Sequence, residues 1–357
     1  MQDFKYYAPT EVVFGKDAEE HLVEMINKYG GKKVLVHYGG HSAERSGLLA
    51  SVREKLNAAG ISFVELGGVK PNPRLTLVHE GIELCRKENV DFILAVGGGS
   101  VIDSSKAIGF GVKYDGDVWD IYARKYVPTD MLPVGVILTI PAAGSEMSDS
   151  SVITKEDGDL KIGYSNNICR PKFAIMNPVR TFTLPPYQTA CGATDIMMHT
   201  MERYFGKVDD MTLIDNIAEA LMRTVKDSVF HVLENPEDYR NRACIMWASS
   251  LGHNDLTGDR SYADFATHQI EHELSAMFDV AHGAGLAAVW PSWARYVMDE
   301  NVSRFARFAV NVVGVPNDFT DTKATAMAGV EAVEKFYRAI GMPTNIHELI
   351  GREITDD

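Results

Sequence analysis

The side chains best placed to do chemistry are Asp195 and His199, His268 and His272, and His282, in the stretches DIMMH, HQIEH and AHGAG. Each of the two pairs is spaced by four, so on a helix both members share one face and aim at one point. A carboxylate and several imidazoles converging from two helices make a site for a divalent transition metal. Three of the chain's 11 histidines fall within one short stretch, His268 to His282. The same spacing also fits polar residues on helix faces that never meet, and it does not choose which of the five are ligands.

The elements that would position them change character along the chain. In the first half, short apolar runs at Lys33–Tyr38, Ile61–Leu66, Asp91–Val96, Val134–Thr139 and Lys172–Met176 alternate with helical patterns at Asp17–Tyr29, Ser42–Ala59 and Leu75–Glu88. That alternation predicts βαβ units and a Rossmann-like, doubly wound parallel sheet. Phe4–Tyr7 and Glu11–Phe14 flank Pro9 and predict a small hairpin, and Asp157-Gly158 predicts a second one within 154–162. From Pro185-Pro186 onward strand signals fade. Helical periodicity predicts helices at 186–204, 210–233, 237–250, 262–278, 283–298, 302–312 and 320–340. The expected organisation is an α/β nucleotide-binding domain at 1–180 and an all-α metal-binding domain at 181–357. The Met-rich stretch around Met197 and Met198 reads as flexible core filler. Thr355 and Asp356 look like a helix N-cap with no helix behind it, so the C-terminus is expected to be incomplete.

After the third apolar run comes GGGSVIDSSKAIG, Gly97 to Gly109. Three glycines let the backbone turn tightly and approach a ligand. Ser100 and Asp103 form a Ser-x-x-Asp helix start whose free N–H groups suit a phosphate. No Gly-Lys-Ser/Thr follows, so the loop is not a Walker A, and Ile102 stands where G-x-G-x-x-G would have its last glycine. A pyrophosphate is the simplest guest. The run Lys33–Tyr38 ends in Gly39-Gly40-His41-Ser42 with no acid at its tip. This permits a 2′-phosphate, for which Ser42 and Arg45 are donors and Glu44 is an adverse neighbour.

Bulk properties narrow the function. The 357 residues suffice for two cores, and 45% hydrophobic with 24% charged content is ordinary for a globular protein. A net charge of −14 argues against nucleic acid or an anionic membrane as partner. No apolar run is long enough to span a bilayer, and the start has no signal-peptide core. Cys85, Cys169, Cys191 and Cys244 are scattered without a CxxC, which fits a reducing cytoplasm.

Taken in order, Phe14-Gly15, Pro71-Asn72-Pro73, GGGSVIDSSK, Gly144-Ser145-Glu146, DIMMH, EHELSA and AHGAGLA resemble the iron-containing (group III) alcohol dehydrogenase family, in particular its NAD(P)H-dependent butanol dehydrogenases. The match runs almost end to end. The resemblance implies Asp195, His199, His268 and His282 as metal ligands, with Fe2+ or alternatively Zn2+. It implies that His272 lies by the nicotinamide and acts in catalysis with Asp103. It implies Gly98, Gly99 and Ser100 at the pyrophosphate and Gly39, Gly40 and Ser42 at the adenosine ribose. Asn72, Asp103, Thr139 and Lys161 would be further cofactor contacts. The reaction implied is hydride transfer between NADP (NAD as alternative) and a small aldehyde or alcohol such as butanal or butanol, in a cytoplasmic homodimer. Three features depart from the family. Ala143 stands where members often carry Thr, and His41 and Glu44 stand where NADPH-using members often carry Gly and Lys. The family's C-terminal helical segment is missing. Competing readings are a glycerol-type polyol dehydrogenase, whose site lacks the second ligand of the DIMMH helix, and a catalytically silent nucleotide-binding protein.

Overall fold

The computed structural model describes residues 3–207, 211–259, 261 and 263–352. They form two compact units, one spanning Tyr7–Thr181 and the other running from Phe182 onward together with residues 3–6.

The first unit begins with β1 (Glu11–Phe14), α1 (Leu22–Lys28), β2 (Lys33–Tyr38), α2 (Ser42–Arg45), α3 (Leu48–Ala58), β3 (Ser62–Leu66) and α4 (Leu75–Glu88). It continues through β4 (Phe92–Gly98), α5 (Gly99–Val112), α6 (Trp119–Tyr122), β5 (Val134–Ile140), β6 (Ser150–Lys155), β7 (Leu160–Ser165) and β8 (Phe173–Met176). Six strands make one parallel sheet in the order β1-β8-β5-β4-β2-β3. All seven residues of the central β4 are buried, as expected of a strand covered by helices on both faces. The strand order reverses at β4, so the crevice at its C-terminal end is where an open α/β sheet takes a ligand. β6 and β7 pair antiparallel around the Asp157-Gly158 turn.

Three sequence expectations are corrected in this unit. Residues 4–7 form no strand; Glu11–Phe14 instead pairs parallel with β8, since an isolated two-stranded hairpin is marginal whereas β8 offers a buried neighbour in the register Val12–Ala174 and Val13–Ile175. The helix expected at 42–59 is broken by Gly47, whose φ of +74° lies in the left-handed region. Ser100 is not an N-cap: β4 runs through Gly98, which itself caps α5 without a side-chain bond, so Ser100 lies inside the first turn.

His37 pins this unit at its centre. It is wholly buried on β2, donating from Nδ1 to the Leu66 carbonyl at 2.7 Å and accepting at Nε2 from the Ser104 hydroxyl at 2.8 Å. It thereby ties β2, β3 and α5 together. Burial pushes its pKa down to about 4.

The second unit is helical, with no strand among its described residues: α7 (Pro186–Tyr204), α8 (Thr212–Glu234), α9 (Tyr239–His253), α10 (Ala266–Phe278), α11 (His282–Val297), α12 (Val302–Phe308), α13 (Thr322–Ala339) and α14 (Ile346–Ile350). Pro186 opens α7 at the position where its missing N–H costs nothing. From Ala193 to Tyr204 every residue of α7 is buried, so the helix is enclosed on all sides. Met197, Met198 and Met201 fill its surroundings, as the sequence suggests. Gly283 lets α11 approach α7: a Cβ there would sit 2.2 Å from the Cys191 carbonyl oxygen. The helix expected at 302–312 stops at Phe308 and continues as a single π turn. The expected cap at Thr355 lies outside the described residues.

Two measurements follow from this packing. The His37 pKa is depressed, so the unfolded chain takes up the proton first. The stability from its neutral form is complete above pH 6.5 and is lost as pH falls toward 4. Between pH 7.5 and 5 the loss is about 2 kcal/mol. Urea unfolding of wild type and His37→Gln should show their stability difference shrinking by that amount, and a pH-independent difference would refute the assignment. For the helical unit, Gly283→Ala drives a Cβ into backbone and should cost about 2–3 kcal/mol. Gly40→Ala, whose Cβ meets nothing within 4 Å, should stay within about 0.5 kcal/mol in the same melts.

Candidate metal centre and nucleotide loop

α7 contributes Asp195 and His199 one turn apart, α10 contributes His268 and His272, and His282 opens α11. Ligand atoms of Asp195, His268 and His282 lie within 4.8 Å of one another. Asp195 Oδ1 is 3.7 Å from Nε2 of His268 and 3.8 Å from Nε2 of His282. His199 stands beside this set rather than in it. Its Nδ1 lies 3.0 Å from both Oδ1 and the backbone carbonyl of Asp195, and its ring centre is 4.3 Å from that of His268. The ring of His272 is 5.8 Å from that of His282, and His272 also clusters with Glu271 and His282.

Burial opposes ionisation of Asp195, but the imidazoles of His199 and His282 overcome it and hold the carboxyl well below the usual range. Burial pushes His199 down to about 4, keeping it in the neutral form that has a lone pair to donate. For His268 burial acts in the same direction but is outweighed by the Glu202 carboxylate, and the pKa rises to about 9. These residues fit a divalent cation. His268 Nε2 is buried with no hydrogen-bond partner, and Asp195 Oδ1 is buried with only the His199 Nδ1 contact at 3.0 Å, although buried polar atoms are almost always paired. One carboxylate with imidazoles and no thiolate suits Fe2+ or Zn2+.

Spacing did not reveal the groups behind the imidazoles. Glu202 bonds Nδ1 of His268, and Glu271 bonds Nδ1 of His282 and the hydroxyl of Ser275. Both carboxylates are essentially inaccessible. The signal was present: Glu202 follows Asp195 by seven on the same helix face, and Glu271 directly precedes His272.

In the α/β unit the residues expected at a nucleotide gather along one edge. Gly98 pairs with Ile140, next to Thr139, at the C-terminal ends of β4 and β5. A Cβ on Gly97 would strike Val101 at 2.4 Å, and one on Gly99 would come within 3.1 Å of Ala143. The loop is therefore a cradle that side chains would fill, leading to the side-chain-uncapped first turn of α5, and it fits a pyrophosphate. Gly39 and Gly40 end β2 next door, and Ser42 opens α2 on the surface. Asn72 is buried with φ +54°. It neighbours Pro73, whose carbonyl accepts from the Thr154 N–H at 2.8 Å, and Thr154 pairs across the hairpin with the buried Lys161. Asp103 is occupied by its own loop, accepting from the Ser145 hydroxyl at 2.5 Å and the Val152 N–H at 3.0 Å.

Comparison with known proteins agrees with both halves. The family profile described as iron-containing alcohol dehydrogenase matches residues 9–178, and that described as Fe-containing alcohol dehydrogenase family, C-terminal, matches residues 189–353. The chain is 42% identical to probable NADH-dependent butanol dehydrogenase 1 of Bacillus subtilis, over 97% of this chain and 89% of that one. It is 35% identical to the NADPH-dependent aldehyde reductase YqhD of Escherichia coli, over 98% of this chain and 89% of that one. The crystal structure of NADH-dependent butanol dehydrogenase A from Thermotoga maritima superposes with a TM-score of 0.94 at 39% identity, covering 98% of this chain and 87% of that one. The chain belongs to the iron-containing alcohol dehydrogenase family.

Proposed function

We propose that this alcohol oxidoreductase reduces small aliphatic aldehydes such as butanal with NADPH as hydride donor, which becomes NADP, and one Fe2+ ion held by Asp195, His199, His268 and His282. Zn2+ is the alternative ion and NAD the alternative coenzyme. The observation that carries the reading is the convergence of a buried carboxylate and two imidazole Nε2 atoms, of which His268 Nε2 is buried without a hydrogen-bond partner. When bound, the ion supplies Lewis acidity toward the substrate oxygen and the nicotinamide supplies the hydride. The protein's share is placement and electrostatics. Asp195 keeps its charge in a buried setting and so would hold the cation, whose stabilisation of a developing oxyanion would be worth several kcal/mol. His272, half-buried beside His282, passes a proton to the product oxygen. Gly98, Gly99 and Ser100 hold the pyrophosphate, with Gly39, Gly40 and Ser42 at the adenosine ribose. Asn72, Thr139 and Lys161 line the path between, and Asp103 acts by fixing the Ser145 loop.

The preference for NADP rests on the end of β2, where Tyr38 is followed by Gly39 and Gly40 and no carboxylate meets the ribose. Glu44, the nearest acid, is bonded to Arg53 at 2.8 Å, while Arg45 is exposed. The names of the relatives include both coenzymes. A homodimer is proposed from β1, the edge strand of the sheet among the described residues, and the exposed Tyr7 that precedes it. A cytoplasmic setting is proposed from four unpaired cysteines. No described helix is long and apolar enough to cross a membrane.

His268→Ala should lose the metal and at least about 100-fold in butanal reduction, because removing one ligand gives up several kcal/mol of stabilisation. NADPH binding, followed by fluorescence titration, should persist in this variant. Full activity in the metal-analysed variant would remove the site assignment. With the wild type, kcat/KM for butanal should be higher with NADPH than with NADH, and the opposite order would assign NAD. Light scattering on the eluting protein should give twice the chain mass of 39.4 kDa.

A further inference from the structure

We propose that Glu202 and Glu271 are positioning residues of the metal centre: each engages Nδ1 of one imidazole and thereby fixes the tautomer and ring orientation that turn Nε2 toward the ion. The inference rests on the metal reading above and extends it to two side chains that would not touch the ion.

The two carboxylates come from different helices yet do the same thing. Glu202, on α7, accepts from the backbone N–H groups of Thr267 at 2.7 Å and His268 at 3.2 Å through Oε1, and bonds His268 Nδ1 through Oε2. One side chain therefore holds both the first turn of α10 and the ring carried on it. Glu271, on α10, takes the Ser275 hydroxyl on Oε1 and His282 Nδ1 on Oε2. Space is reserved for it: a Cβ on Gly285 of α11 would come 2.7 Å from its Cγ and 3.0 Å from Oε1.

With both Nδ1 atoms engaged, both Nε2 atoms are turned to the same oxygen, Asp195 Oδ1, at 3.7 and 3.8 Å. A neutral imidazole that donates from Nδ1 keeps its lone pair on Nε2, so the carboxylates select the ligating nitrogen. Burying a carboxylate is expensive unless it is paired. Asp215 and Glu219, the other buried aspartate and glutamate of the helical unit's described residues beyond Asp195, are paired with Arg304 and Arg307, whereas Glu202 and Glu271 are each paired with a metal-facing ring. His199 differs, because its Nδ1 faces the Asp195 backbone carbonyl.

The test is Co(II) binding to the purified full chain, read by visible absorption and by competition with a chelator, for wild type, Glu271→Gln, Glu271→Met and Ser275→Ala. Circular dichroism of the metal-free proteins checks the fold. Glu271→Met should bind Co(II) about 10- to 100-fold more weakly with an altered spectrum. Glu271→Gln keeps an acceptor oxygen for Nδ1–H and should stay within a few-fold of wild type. Ser275→Ala, which releases Glu271 without removing it, should fall between the two. In the Zn(II)-loaded wild type, nitrogen NMR of labelled histidine should place the proton of His268 and His282 on Nδ1. The proposal is overturned if folded Glu271→Met keeps wild-type affinity and spectrum, if Gln binds as weakly as Met, or if Nδ1 is the metal-bound nitrogen. Wild-type protein that takes up no Co(II) would instead overturn the metal reading itself.

Discussion

Keeping the Asp195 carboxylate charged inside a helix enclosed on every side is the constraint on which the helical unit depends. A lone carboxylate in such a place would take up a proton rather than stay ionised. Here imidazoles approach from α10 and α11, and the approach must be close for the attraction to exceed the cost of burial. Gly283 and Gly285 supply that closeness, one against the Cys191 backbone and the other against Glu271. Flexible methionines on α7 fill the irregular space left around the polar cluster. Three buried carboxylates, Asp195, Glu202 and Glu271, face the imidazoles. Among so many negative groups, either protons on imidazole or a divalent cation must balance the charge. The raised pKa of His268 is the first of these solutions and a bound metal ion is the second, so the two compete for the same place.

The α/β unit meets the opposite problem, a buried cation, in an equivalent way. Lys106 follows the glycine loop on α5 and is wholly buried. Its ammonium donates to the carbonyls of Ser145 at 2.8 Å, Ser148 at 3.1 Å and Ser150 at 2.7 Å, and to the Ser145 hydroxyl at 2.9 Å. Asp103, one helical turn earlier, takes the Ser145 hydroxyl and the Val152 N–H. The polar stretch after β5 is therefore tied to α5, the helix that follows the glycine loop. His37 ties the next turn of that helix to β2 and β3 through Ser104. A phosphate cradle works by holding backbone N–H groups still, and these buried contacts do the holding.

Much of this was legible in the sequence because the fold's strongest signals are periodic. Strand runs at Lys33–Tyr38 and Val134–Thr139 and the helix at Pro186–Tyr204 were placed to within a residue. Glycines in GGGSVIDSSK marked a close approach, and the atoms they would strike, Val101 and Ala143, show why. Failures came where the deciding partner lies far away in sequence. Glu11–Phe14 pairs with a strand about 160 residues later, which no local turn signal announces. Glu202 and Glu271 were not singled out, because their spacing from Asp195 and His272 does not say which ring each would meet on another helix. Ser100 looked like a cap because Ser-x-x-Asp is a local pattern, whereas the strand's continuation to Gly98 is set by β5 beside it.

The three imidazoles nearest Asp195 are not equivalent, and the difference follows from what stands behind each. His268 and His282 each have a carboxylate on Nδ1, which raises the electron density available at Nε2. His199 has a backbone carbonyl there, a weaker acceptor fixed by the helix itself, and burial keeps the ring neutral. Two strong donors and one weaker one beside a single carboxylate give an ion less negative charge than three carboxylate ligands would. An ion held there would stay acidic enough to polarise a substrate oxygen, with the outer carboxylates steadying its ligands. Glu202 and Glu271 keep their charge behind the imidazole rings, on Nδ1, rather than beside Asp195 Oδ1.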